Sequence, residues 1–185
     1  MKSRLAHYGA HADPLVATSN FVAMVLAWNQ PCYPLYLWFV VGSDAWIEAP
    51  DILSGLFFLA IPPIARHCPL LGRALLPMFG VANILAVSWI LGEAAGVWLL
   101  FFPCGMLAAL SFRWHERWWM LGLSALPMLA WLATWGRLGA PLLSLSVEQT
   151  ASIWTMNAMS AFAATIFFGW VFARSAARDT ATGFR

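Results

Sequence analysis

The chain has 185 residues, of which 62% are hydrophobic and 10% charged, with a mean hydropathy of +0.73. Soluble domains carry about a quarter charged residues, so water is excluded as the solvent of most of this surface. The net charge of +2 offers no basic patch, which excludes nucleic acid as a partner.

A helix needs roughly 20 apolar residues to cross the hydrocarbon core, so the sequence accommodates about six crossings. The expected class is all-α: a polytopic integral membrane protein folded as a six-transmembrane-helix bundle. Residues 1–19 form a cytoplasmic N-terminal segment, 20–174 the membrane domain and 175–185 a cytoplasmic tail. The first apolar run is too long for a signal-peptide core and lacks a small-residue cleavage site, so it reads as a retained helix.

That first helix is expected over 20–41, with Pro31 and Pro34 disturbing its hydrogen-bond ladder. A polar loop with Ser43, Asp44, Trp46 and Glu48 leads to a short second helix over 52–65, distorted by Pro62 and Pro63. The third runs over 70–91, with Arg73 reaching toward the inner headgroups. The fourth covers 94–112 with Pro103 near its middle, and Arg113, His115, Glu116 and Arg117 turn it into an antiparallel fifth over 118–135. Residues 136–148 make the longest exterior connection, and the sixth helix spans 151–172.

Lys2 and every Arg except Arg137 fall at alternate breaks, including Arg4, Arg66, Arg73, Arg113, Arg117, Arg174 and Arg178. Asp44, Glu48, Asp51, Glu93 and Glu148 crowd the others. Basic residues stay on the side of synthesis, so both termini are cytoplasmic and the arginines form an inner collar. Trp46, Trp135 and Trp154 then mark the outer boundary, and Trp114, Trp118, Trp119 and Trp170 the inner one.

Ionisable residues occur only at or within a turn of the breaks, which argues against pumps and proton relays. His7, His11, His67 and His115 all fall on the cytoplasmic side, so no pair clamps a haem within the bilayer. No metal-ligand spacing is present, and Cys32, Cys68 and Cys104 show no paired pattern. Ser111 lies near His115 and Glu116, but no third group orients a base, and the cluster reads as a solvated turn. An enzyme is not expected, nor a cofactor.

Asn29, Asn83 and Asn157 fall inside apolar stretches. An amide in hydrocarbon needs a partner, so these side chains either join helices or line a small ligand pocket. Ser160, Ala161, Ala164 and Gly169 permit close backbone approach on the sixth helix, internally or in a homodimer. Gly92 and Gly96 have helix-pairing spacing but sit at an outer turn, where a helix start is the better meaning. The outer mouth offers Glu93, Trp98, Arg137, Glu148, Trp46 and Asp44, either as interfacial anchors or as a rim for an amphiphile or cation. The candidate ligand-binding residues are Asn83, Glu93, Trp98 and Asn157.

Taken in order, Arg73 and Asn83, the Gly92 to Gly96 turn, Phe101-Phe102-Pro103, the Arg113 to Arg117 turn and Asn157 resemble a known family. It is the six-helix membrane domain found at the N-termini of bacterial adenylate or guanylate cyclases and some sensor histidine kinases. The likeness covers about 20–174. Family members often carry a His shortly after the glycine turn, where this chain has Val97 and Trp98. They also continue into an output domain, whereas this sequence ends soon after Arg174.

The resemblance implies a multi-pass protein of the bacterial inner membrane. It would sense a lipid-like, quinone-like or small amphiphilic ligand and act through a partner protein. An accessory subunit of a larger membrane complex and a facilitator for a neutral solute are the competing expectations.

Overall fold

The computed structural model describes residues 7–183, and within them the side chains of all but 48–50 and 178–183. Lys2, Arg4 and Arg185 lie outside the described residues, as do the side chains of Glu48 and Arg178. The protein is all-α. After a short helical turn at 7–9 come seven helices: α1 (Pro14–Asn29), α2 (Cys32–Val41), α3 (Ser54–His67), α4 (Pro69–Leu91), α5 (Phe101–Leu110), α6 (Arg117–Thr134) and α7 (Val147–Gly183). Tight 3-10 turns over Ser43–Leu53, Glu93–Ala95, Val97–Leu100 and Trp114–Glu116 join them.

Among the described residues two helices are long and apolar enough to cross a membrane alone, Pro69–Leu91 and Val147–Ala177. The pair Val97–Leu110 and Trp114–Thr134, bent by 117°, counts as a third if it is one span. Helix lengths by themselves therefore establish two or three candidate spans, not six.

The first expected helix begins earlier and breaks in two. Asp13 caps α1, its carboxylate accepting from the Leu15 amide at 2.9 Å, and Pro14 takes the first turn, where its missing N–H costs nothing. At Pro31 the absent donor leaves the Ala27 carbonyl without its helical partner, and the chain re-starts as α2. Gly55 at the head of α3 fits against that carbonyl, since a Cβ there would lie 3.2 Å from it.

α3 carries Pro62 and Pro63 without breaking, yet its 14 residues span only about 21 Å against a core of about 30 Å. The fourth helix starts at Phe101 rather than 94, because Gly92 and Gly96 take positive φ (79° and 74°) and wind the chain through two tight turns. Pro103 consequently falls in the first turn of α5, not its middle.

α4 is the central helix. Val81, Ile84 and Val87 join the cluster around Leu37 and Ile153; Leu76 joins that of Ile61, Leu107 and Phe168; Ala74 packs with Ala108, Phe112 and Leu123. Close approach of α3 is set by Gly72, where a Cβ would stand 2.5 Å from that of Ala65.

Arg73 departs from expectation. Its side chain is buried, 3% exposed, and turns inward rather than to headgroups. Its guanidinium donates to Glu116 at 2.6 and 2.7 Å and to the Ser111 carbonyl at 2.9 Å, and it lies over the Phe112 ring. A charge with this many partners within reach is held inside because α4 meets the 113–117 turn there. The exposed collar loses one member, and the turn is not simply solvated. Arg117 instead lies over Trp114 and Trp118, and Arg174 over Trp170.

Candidate functional site

The break between α1 and α2 does more than bend a helix, because it opens a polar corner inside the bundle. A cavity of about 180 Å³ lies there. Asn29, Gln30 and Tyr33 come from the break, Asp51 from the segment before α3, and Gly80, Asn83, Ile84 and Val87 from one face of α4. Pro103, Cys104 and Leu107 of α5 and Asn157, Ser160, Ala164 and Phe168 of α7 close it. Residues recurring every three to four positions share a helix face, so α4 and α7 each present one continuous stripe.

Asn157 is fully buried. Its Nδ2 donates to the Ala95 carbonyl at 2.9 Å and to the Tyr33 hydroxyl at 3.3 Å, tying α7 to the glycine turn and to α2. Its Oδ1 has no hydrogen-bond partner. Such an acceptor shut away from water costs about 1–3 kcal/mol, and it belongs to a residue lining an open volume.

A second network faces it. Gln30, nearly buried, donates from Nε2 to the Ser54 hydroxyl at 2.6 Å, and that hydroxyl donates to the Asp51 carbonyl at 2.6 Å. Burial pushes the Asp51 carboxyl up to about 6, while the polar side chains of Ser54 and Asn83 beside it pull it partly back. No Lys, Arg or His lines the cavity.

A wider groove of about 430 Å³ adjoins between α3 and α4, with Phe57, Phe79, Ala86 and Ile90 among its walls. Asp51, Phe58, Asn83 and Val87 line both volumes, so the groove and the cavity are neighbours.

Of the residues singled out in the sequence, Asn83 and Asn157 are brought together in the cavity. Glu93 and Trp98 are not in its lining. Glu93 accepts a short hydrogen bond from the Gly136 amide. Trp98 packs with Trp131 and Trp135, ring centres 6.2 and 5.7 Å away. Together with the Leu143 amide bonded to the Ile90 carbonyl at 3.1 Å, they fasten the 136–146 strap over that end of the bundle. Asn29 lines the cavity but is largely exposed, while its neighbour Gln30 is the buried amide.

Sequence reasoning missed Gln30, Tyr33 and Asp51. A polar pair directly before Pro31 was the available signal, since a proline in an apolar run frees a carbonyl and invites polar neighbours. Asp51 carried none, because a carboxylate beside Pro50 reads as loop.

Ser111 is fully buried and its hydroxyl donates to the Leu107 carbonyl at 2.7 Å, away from His115. Among the described residues no group of three or more His, Cys, Asp or Glu is placed to hold a metal ion. Neither a protein-family model nor a curated protein matches the chain.

Proposed function

We propose that the protein is a membrane-embedded sensor or regulatory module. In this reading it is a six-helix bundle of the bacterial inner membrane with both termini cytoplasmic. It binds a lipid-like, quinone-like or small amphiphilic ligand and acts through a partner protein. The observation that carries this is the fully buried Asn157 in the cavity lining, with its amide nitrogen satisfied and its amide oxygen unpartnered. A purely structural amide has no need of an open volume beside it.

Transmission has a physical route. Asn157, Ser160, Ala164 and Phe168 face the cavity from α7, and that helix continues unbroken to Gly183. A ligand that shifts the cavity stripe moves one rigid rod, whose far end meets the cytoplasm in this topology. The resemblance to sensor domains of cyclases and kinases points the same way.

The test is ligand-dependent stability of the protein in lipid nanodiscs. An amphiphile that raises the melting temperature of the wild type but not of Asn157→Leu supports the proposal. If extracts of native membranes yield no molecule that does so, the sensor function fails.

A second reading is favoured by the opposite face of α7, where Met159, Phe162, Ile166 and Trp170 stand exposed at helical spacing. That stripe suits a neighbouring membrane helix, as in an accessory subunit. Isolation from native membranes of this chain alone would count against it.

A further inference from the structure

We propose that the ligand is a single-chain primary amine, its ammonium head held at Asp51 and its alkyl tail in the α3–α4 groove. This rests on the ligand-binding function proposed above and specifies the chemistry of that site.

The head follows from what the walls offer. Asp51 is the only carboxylate in the linings of the two volumes, and neither lining contains Lys, Arg or His. Among the described residues no ion pair engages it. A half-buried carboxylate without a cation is unfavourably solvated, and a ligand that brings one improves the balance. Its raised affinity for protons agrees, since a group that lacks a cationic neighbour takes up a proton instead.

The Asp51 carboxylate takes hydrogen bonds as well as a charge. A primary ammonium has three N–H groups to give, a quaternary ammonium none. Anionic heads fit worst, because no Lys, Arg or His lines either volume and Asp51 repels them.

The tail follows from the groove. The cavity is too small to take a long chain whole, but Asp51 also lines the adjoining groove, where Phe57, Phe79, Ala86 and Ile90 supply an apolar wall.

The experiment uses the full chain in nanodiscs of zwitterionic lipid, with bound probe counted by native mass spectrometry. The probes are dodecylamine, dodecyltrimethylammonium, dodecanol and dodecanoate. The expected result is saturable binding of one dodecylamine, at least about tenfold tighter than the other three, and weakened about tenfold or more by Asp51→Asn. Competition among probes on the wild type needs no variant, so a misfolded Asp51→Asn does not remove the test.

Binding of dodecanoate or dodecanol as tight as that of the amine overturns the amine assignment. If that binding is abolished by Asn157→Leu, the ligand-binding function itself survives. Absence of saturable binding by every probe overturns the amine assignment, and the wider function is then decided separately by the native-membrane extracts.

Discussion

Arg73 and Glu116 meet fork to fork across the base of the bundle. Nη1 donates to Oε2 at 2.7 Å and Nη2 to Oε1 at 2.6 Å, with the guanidinium 3% and the carboxylate 13% exposed. Glu116 also accepts from the Arg113 amide at 2.9 Å, so one carboxylate closes the turn and neutralises α4. Arg113 extends the contact by reaching Asp13, the cap of α1, at 2.9 Å. Three segments distant in sequence are thus fastened by two acids.

Removing one member leaves a buried charge alone. Glu116→Ala is expected to cost about 3–5 kcal/mol, and Glu116→Gln less because its oxygen still accepts. The paired change Arg73→Met with Glu116→Leu should recover much of the loss, since it removes the stranded guanidinium as well. Denaturant titration in micelles checks all three. A Glu116→Ala protein as stable as the wild type would show that the pair carries no stability.

Two carboxylates give opposite pH signatures. Hydrogen bonding from Arg73 holds Glu116 at about 2 against an ordinary 4.5. Its contribution is fully present above 4.5 and is lost as pH falls through 2. Asp51, raised from 3.8 to about 6, behaves inversely: the native state binds the proton more tightly, so its contribution is present below 3.8 and lost as pH rises through 6. Melting curves of Glu116→Gln should therefore be flatter than the wild type on the acid side of 4.5. Those of Asp51→Asn should lose the decline toward 6. A wild type with identical melting from pH 3 to 7 contradicts both assignments.

Gly96 supports the site through backbone geometry. At φ 74° it sits in the left-handed region, and a Cβ would come within 2.5 Å of the Trp154 ring. Gly136 has a similar φ of 69° with nothing within 4 Å. Gly136→Ala should thus cost only the backbone penalty of about 1–2 kcal/mol, and Gly96→Ala more, because Trp154 must also move. Since the Ala95 carbonyl holds Asn157, Gly96→Ala should also weaken ligand-dependent stabilisation. Equal losses for the two variants would mean that the Trp154 contact is soft.

The all-α class and the positions of α4 and α6 were legible because hydrophobic length and charge punctuation are sequence properties, whereas α7 was expected over 151–172 and runs from Val147 to Gly183, its polar ends continuing the helix beyond the apolar stretch. Asn83 and Asn157 were legible too, as amides in apolar runs have few uses. Charge alone misplaced Arg73, since a cation one turn inside a helix looks the same whether it reaches headgroups or a carboxylate 43 residues on. The cavity was illegible for a related reason. It depends on Pro31 breaking a helix at one depth while the 43–53 segment carries Asp51 to the same place, a coincidence of tertiary packing that no local pattern encodes.

The proposed six-span topology makes a decisive labelling prediction. α6 has 18 residues, about 27 Å of helix, close to the hydrocarbon thickness of about 30 Å. His115 before it and Arg137 after it are both exposed. With Cys32, Cys68 and Cys104 replaced by Ala, a cysteine at 137 should react with a membrane-impermeant maleimide on intact cells. A cysteine at 115 should react only after permeabilisation. The same contrast should separate position 44 from position 68 if α3 crosses despite its length, its ends extended by the 3-10 turn and by Cys68. If 115 and 137 label from the same side, the bent pair before and within α6 is a re-entrant element, and the six-span bundle is discarded.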